Sequence, residues 1–280
     1  MIVDLIDGTY ELFRHFYGLR RFTRDRDPPH GAVVGVLNGV LQLMENRATH
    51  VGVATDHVIE SFRNALWPGY KTGEGIEPAL RAQFQPLEDG LQAMGVVAWP
   101  MVELEADDAL ASAARIAAAD ARVEQVLIWT PDKDLAQCVQ GGRVLQVDRR
   151  GNKIRTARDV EEKFGVPPQL IPDYLALVGD AADGYPGVAG IGSVTAARLL
   201  RQHGPIESFP PHVLGDRLQD ALLFKRLATL DASAALFDDV EALRWRGPTQ
   251  DFARWAGSIG AGKLLERAQA VQRAMEAREE

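Results

Sequence analysis

Nine acidic residues are spaced as if to gather metal ions. Asp7 ends an apolar run at residues 2–6, Asp56 ends another at 51–55, and Asp132 follows a third at 126–130. A weaker run, 96–102, leads into Glu105, Asp107 and Asp108, which open a helical pattern where the helix dipole favours negative charge. Asp132 and Asp134 are two apart, a spacing that puts both on one side of extended chain. Asp180 and Asp183 are three apart and share a face on a helical turn. Singly, each has a bland account as a helix cap or a turn residue. Together, convergent carboxylates repel one another strongly unless cations neutralise them. Oxygen ligands without a His or Cys cluster select Mg²⁺ or Mn²⁺ over zinc. Two such ions about 4 Å apart can activate a water and stabilise the leaving oxygen of a phosphodiester.

The elements that must position these acids read as α/β. Apolar runs at 2–6, 51–55, 96–102, 126–130 and 144–147 alternate with helical patterns at 32–44, 79–94 and 107–119. Strand–helix alternation implies a mainly parallel sheet with helices on both faces, and ligands then bind beyond the carboxyl ends of the strands. From about residue 157 strand signals stop. One helix is expected from 166 to about 178, another over 194–202 and a last one over 261–280, with a glycine-rich turn at 187–192. The expected division is a core at 1–156 and a helical region at 157–280.

Composition excludes several classes. The chain has 280 residues, 46% hydrophobic and 25% charged, as in ordinary globular proteins. No apolar run is long enough to cross a bilayer, and one cysteine, Cys138, allows no internal disulfide. A cytoplasmic protein that binds no membrane is expected. The net charge of −8 argues against a nucleic-acid coat protein, yet basic residues cluster at Arg14, Arg20, Arg21, Arg24 and Arg26 and at Arg149, Arg150, Lys153 and Arg155. Charge distribution matters more here than the sum.

Four segments, read in order, resemble the bacterial flap endonuclease and 5′–3′ exonuclease family, the nuclease domain attached to DNA polymerase I. They are Glu105-Ala106-Asp107-Asp108, Pro131-Asp132-Lys133-Asp134-Leu135-Ala136-Gln137, Phe164-Gly165-Val166-Pro167-Pro168 and the stretch 175–192. The likeness runs from Asp7 to about residue 205, while 210–280 matches only vaguely. It implies a PIN-like core, an arch or clamp at residues 62–94, and a helix–three-turn–helix element near 183–203. It also implies Asp7, Asp56, Glu105, Asp107 and Asp108 around a first metal and Asp132, Asp134, Asp180 and Asp183 around a second. Arg14, Arg63 and Lys71 match basic positions beside the scissile phosphate. The turn around Gly187, Gly190, Gly192 and Ser193 resembles the family's DNA-gripping element, in which backbone carbonyls hold a potassium ion. Glycines allow close approach to phosphate, and Ser193 is expected to cap the following helix.

Two departures stand out. Val194 replaces a lysine usual in the family, removing a phosphate contact. Trp67-Pro68-Gly69 should break the preceding helix and leave the arch partly disordered or open. The expected function is a monomeric, metal-dependent 5′ nuclease near the nucleoid, acting in primer removal and repair. Its substrate would be duplex DNA with a 5′ flap, nick or free 5′ end, including RNA primer–DNA hybrids. The alternatives are a non-catalytic branched-DNA-binding protein and an RNA-preferring PIN-like nuclease.

Overall fold

The computed structural model describes residues 1–23, 28–46, 48–149, 151 and 153–279. Arg24, Arg26 and Arg150 of the basic clusters lie outside these, and the side chains of Arg20 and Arg21 are likewise not described. In chain order the elements are β1 (Ile2–Asp7), α1 (Gly8–Thr23), α2 (Gly31–Glu45), β2 (His50–Asp56), α3 (Phe62–Leu66), α4 (Pro78–Arg81), α5 (Phe84–Ala93), β3 (Val97–Met101), α6 (Ala106–Ala119), β4 (Gln125–Trp129), β5 (Val144–Asp148) and β6 (Lys153–Arg155). Then come α7 (Ala157–Phe164), α8 (Ile171–Val178), α9 (Ser193–His203), α10 (Pro211–Leu214), α11 (Leu218–Ala228), α12 (Phe252–Ser258) and α13 (Gly262–Glu279).

The strand order is β3-β2-β1-β4-β5-β6. All neighbours are parallel except β6, which runs antiparallel to β5. Central strands of such a sheet are buried on both faces, which is why they read as unbroken apolar runs. Val3 and Leu5 pack with α6 on one face, and Ile6 packs with α2 and α5 on the other. Between β1 and α1, Gly8 is required by closeness, since a Cβ there would sit 2.8 Å from the Thr55 side chain. No described helix is long and apolar enough to cross a membrane.

Three expectations are revised. The helix expected over 79–94 is two helices, and Pro86, in the first turn of α5, explains the break, because proline cannot continue a helix into its interior. Segment 62–94 does not stand clear of the core throughout: Leu80 of α4 and Leu87 and Leu91 of α5 belong to it. Residues 67–77, expected to be open, are tied down. Asn64 Nδ2 donates to Lys71 O at 3.0 Å, Trp67 Nε1 to Gly184 O at 3.0 Å, and the Gly73 amide to Glu60 Oε1 at 2.9 Å.

The boundary at 156/157 is also not clean. Residues 166–228 form a second apolar cluster around α8, α9 and α11, which Tyr70, Ala136, Val139 and Val160 join. Trp245, Phe252, Leu264, Ala268, Val271 and Met275 instead return to the first core, against α2 and α5. Arg267 of α13 pairs with Glu45 of α2 at 2.7 Å.

Candidate metal centre

Parallel strands bring their carboxyl ends together, and the acids follow. Asp7 ends β1 and Asp56 ends β2. Asp7 is 6% exposed and accepts hydrogen bonds from the Tyr10 amide (2.8 Å) and Thr130 Oγ1 (3.0 Å). Asp56 accepts from the Ala106 amide at 2.8 Å, which pins the start of α6, and hence Asp107, beside it. Burial, reinforced by Asp56 and Asp132, pushes the Asp7 carboxyl up to about 7, although the Tyr10 and Thr130 bonds oppose the shift. Burial and then Asp132 and Asp7 hold Asp107 well above the carboxylate range. Asp56 is raised by burial, against the pull of Lys71. Asp7, Asp56, Asp107 and Asp132 therefore share one field whose repulsion their own hydrogen bonds do not relieve.

A second group is tighter. Carboxylate oxygens of Asp134, Asp180 and Asp183 all lie within 4.8 Å of one another. Among the described residues this is the one trio of possible metal ligands so close together. Its local geometry differs from expectation. Asp134 opens a short 3₁₀ segment, with its amide donating to Asp132 Oδ1 at 3.0 Å, so the chain turns here rather than extending. Asp180 and Asp183 lie not on a helix but in a reverse turn closed by paired backbone hydrogen bonds between Asp180 and Tyr185 (2.9 and 3.0 Å). Gly184 makes that turn possible, because its φ is +82° and a Cβ would sit 2.0 Å from Gly69 O. Asp134 Oδ1 is buried without a hydrogen-bond partner. Burial and then Asp132, Asp183 and Asp180 push the Asp134 carboxyl well up. An orphaned anionic oxygen facing two further carboxylates fits a hard cation, and no nitrogen or sulfur ligand joins the trio.

Two lysines touch the second group, and one of them also reaches Glu105. Lys71 Nζ bridges Glu105 (2.7 Å) and Asp183 (3.2 Å), and Lys133 Nζ reaches Asp180 at 2.7 Å. Glu105 is buried, yet Lys71 and Arg63 hold its carboxyl below the usual range, helped by Ser61 Oγ at 2.6 Å.

Arg63 and Asp108 do not take the places expected of them. Asp108 is fully buried and spends both oxygens inside the protein. It accepts Arg63 Nη1 and Nη2 at 2.8 Å each, the Asp231 amide at 2.8 Å and the Glu105 amide at 2.9 Å. Arg63 is 1% exposed, with its remaining donors on Leu227 O (2.8 Å), Thr229 O (3.1 Å) and Glu105 (3.2 Å). Neither has an atom left for a metal or a phosphate. They form a brace that ties α3 and the α11 end to the base of the site.

Arg14 is also held elsewhere, two helical turns along α1 from Asp7. It is bound to Glu11 at 2.5 and 3.2 Å. Glu11, 3% exposed, also lies 3.7 Å from His15 and 3.9 Å from Arg149. Asp4 lies in the same region, accepting from Trp129 Nε1 at 2.7 Å, and burial pushes its carboxyl up to about 6. Neither Asp4 nor Glu11 was expected. An acid inside the apolar run 2–6 is the available signal.

The glycine turn sorts by exposure. Gly187 is buried, and a Cβ on it would sit 2.3 Å from Gly179 N, so its role is backbone contact and not reach toward a ligand. Gly190, Gly192 and Ser193 are exposed. Gly192, not Ser193, is the N-cap of α9, and no side-chain cap bond forms.

Comparison with known proteins agrees with this geometry. Residues 3–165 match the N-terminal resolvase-like domain of the 5′-3′ exonuclease family, and 166–251 match its C-terminal SAM fold. A DNA polymerase I of Pseudomonas aeruginosa is 35% identical over 85% of this chain, which spans 28% of that protein. A 5′-3′ exonuclease of Buchnera aphidicola is 31% identical over 74% of this chain and 72% of its own length. In fold, the chain is similar to the flap endonuclease-1 of Methanococcus jannaschii (TM-score 0.64, 15% identity, 98% and 93% of the two chains). It is also similar to the T5 D15 protein co-crystallised with metal ions (TM-score 0.61, 22% identity, 96% and 100%).

Proposed function

Because the chain belongs to the 5′-3′ exonuclease family, we propose that it is a divalent-metal-dependent 5′ nuclease that hydrolyses phosphodiester bonds of DNA near a 5′ flap, a nick or a free 5′ end. The observation that carries this reading is the incompletely neutralised set of acids, above all Asp134 with its orphaned oxygen among Asp180 and Asp183. Asp134, Asp180 and Asp183 would hold one ion, and Asp7, Asp56, Asp107 and Asp132 another. Mg²⁺ or Mn²⁺ suits all-oxygen ligands and supplies charge neutralisation together with a water of lowered pKa.

The chain's own groups do the rest. Lys71, pinned by Glu105 and Asp183, places an ammonium at the junction of the two acid groups, where it can hold a phosphate oxygen. The Arg63–Asp108 brace fixes Glu105 and the first turn of α6. The turn at Gly190, Gly192 and Ser193 would contact duplex phosphates, positioning DNA without reading its sequence. A potassium ion on its carbonyls belongs to the same proposal. A monomer near the nucleoid, removing primers or flaps in replication and repair, fits this activity, and RNA primer–DNA hybrids are within its reach.

The test is cleavage of 5′-flap, nicked and blunt duplexes, and of a matched RNA flap, with Mg²⁺, with Mn²⁺ and with chelator. Metal-dependent release of product from the DNA substrates is expected. No product from any of them would overturn the proposal, and preference for the RNA flap would shift it to an RNA nuclease.

A further inference from the structure

The exposed rim of the glycine turn lacks charge where α9 begins. Val194, in the first turn of α9, is 81% exposed, an apolar side chain on the surface proposed to meet duplex phosphates. Exposed residues at helical spacing from it are Arg198 and Arg201, further along α9, and Arg201 is tied to Gly165 O at 3.0 Å.

A cation reaches the turn from another element. Arg217 closes the short 3₁₀ segment between α10 and α11. Its Nη1 donates to Ala189 O at 2.9 Å, inside the turn, while Nε donates to Leu214 O and Nη2 to Val213 O, both at 3.1 Å. All three acceptors are backbone carbonyls, which are neutral, and among the described residues no carboxylate lies within 4.0 Å of this guanidinium. Its positive charge is therefore not spent in an ion pair. Arg122 and Arg267, in contrast, are each matched by a carboxylate at 2.6 or 2.7 Å. A guanidinium has five N–H donors, so two remain on an exposed side chain. The three carbonyls also hold its plane in advance, so little rotamer freedom is left to lose on binding.

We propose that Arg217 is a DNA-phosphate contact that gives the glycine turn the charge missing at Val194. This rests on the nuclease reading above and deepens it. Duplex binding then requires α10 to stay docked on the turn, because Arg217 is fixed by carbonyls of both segments.

The experiment measures binding of a labelled nicked duplex by the whole chain across a salt series, with Ca²⁺ replacing Mg²⁺ to suppress cleavage. R217Q removes the charge and R217K keeps it without the planar fork. R217Q should weaken binding about tenfold at low salt and lower the slope of log affinity against log salt by about 0.9. R217K should keep the wild-type slope. A wild-type slope for R217Q, whatever its thermal stability, overturns the proposal, as does an equal loss of slope in both variants. A wild-type chain that cuts DNA with R217Q unchanged sinks this inference alone. A wild-type chain that neither binds nor cuts sinks the nuclease reading with it.

Discussion

Two charged groups lie side by side at the base of this site and settle their charge in opposite ways. Arg63 and Asp108 are buried and complete, with every oxygen of Asp108 and every donor of Arg63 matched within the protein. Asp134, Asp180 and Asp183 are buried and incomplete, with one oxygen of Asp134 unmatched and two lysines as their only cations among the described residues. Burial of acids is therefore not by itself a mark of a ligand. What marks one is burial without internal neutralisation, since such a carboxylate is tolerated only in expectation of a partner from outside.

The sharpest way to break this contrast is to remove one member of each group. D134N should lower cleavage by roughly a thousandfold, several kcal/mol of transition-state stabilisation, while duplex binding and thermal stability hold. R63A should instead unfold the chain more easily, by about 3–5 kcal/mol, because buried Asp108 loses its cation and Glu105 keeps only Lys71. The apolar double variant R63M/D108L should cost less than R63A alone. Melting curves beside single-turnover cleavage distinguish these outcomes. Loss of stability in D134N matching that of R63A would erase the distinction.

A smaller effect tests the same contrast by pH. Asp7 ionises at about 7 in the fold against an ordinary value of 3.8. Between those values the folded state keeps a proton that the unfolded chain has released, so the stability from this group falls as pH rises. A bound divalent cation reverses that penalty and releases protons on binding. The rise in melting temperature caused by Mg²⁺ should therefore be larger at about pH 8 than at about pH 5. An equal rise at both would show that Asp7 and its neighbours are not ligands.

Much of the sheet was legible because buried parallel strands write themselves as apolar runs, and acids at their ends mark the carboxyl edge. The positions of Asp7, Asp56 and Asp132 follow from that alone. What sequence hid was orientation. Asp107 and Asp108 are adjacent, yet on a helix neighbours point about 100° apart, so one joins the open acids and the other turns to Arg63. The i,i+3 relation between Glu105 and Asp108 was the available clue to a capping pair. Asp180 and Asp183 converge for a reason unrelated to helical spacing, a turn that only a positive-φ residue such as Gly184 allows. The break between α4 and α5 was visible in Pro86 but outweighed by periodicity. Asp4 was missed because its partner, Trp129, comes from a distant strand, and Glu11 because, beyond the local Arg14, it faces Arg149 just past β5.

The return of residues 245–275 to the first core has a consequence for synthesis. Trp245, Phe252 and Leu264 cover apolar surface of α2 and α5 that emerges from the ribosome roughly 150 to 230 residues earlier, at about 5–20 residues per second. For many seconds that surface has no wall, and the half-made chain is at its most vulnerable to chaperone capture or aggregation. Splitting the gene between its two family domains would make this exposure permanent.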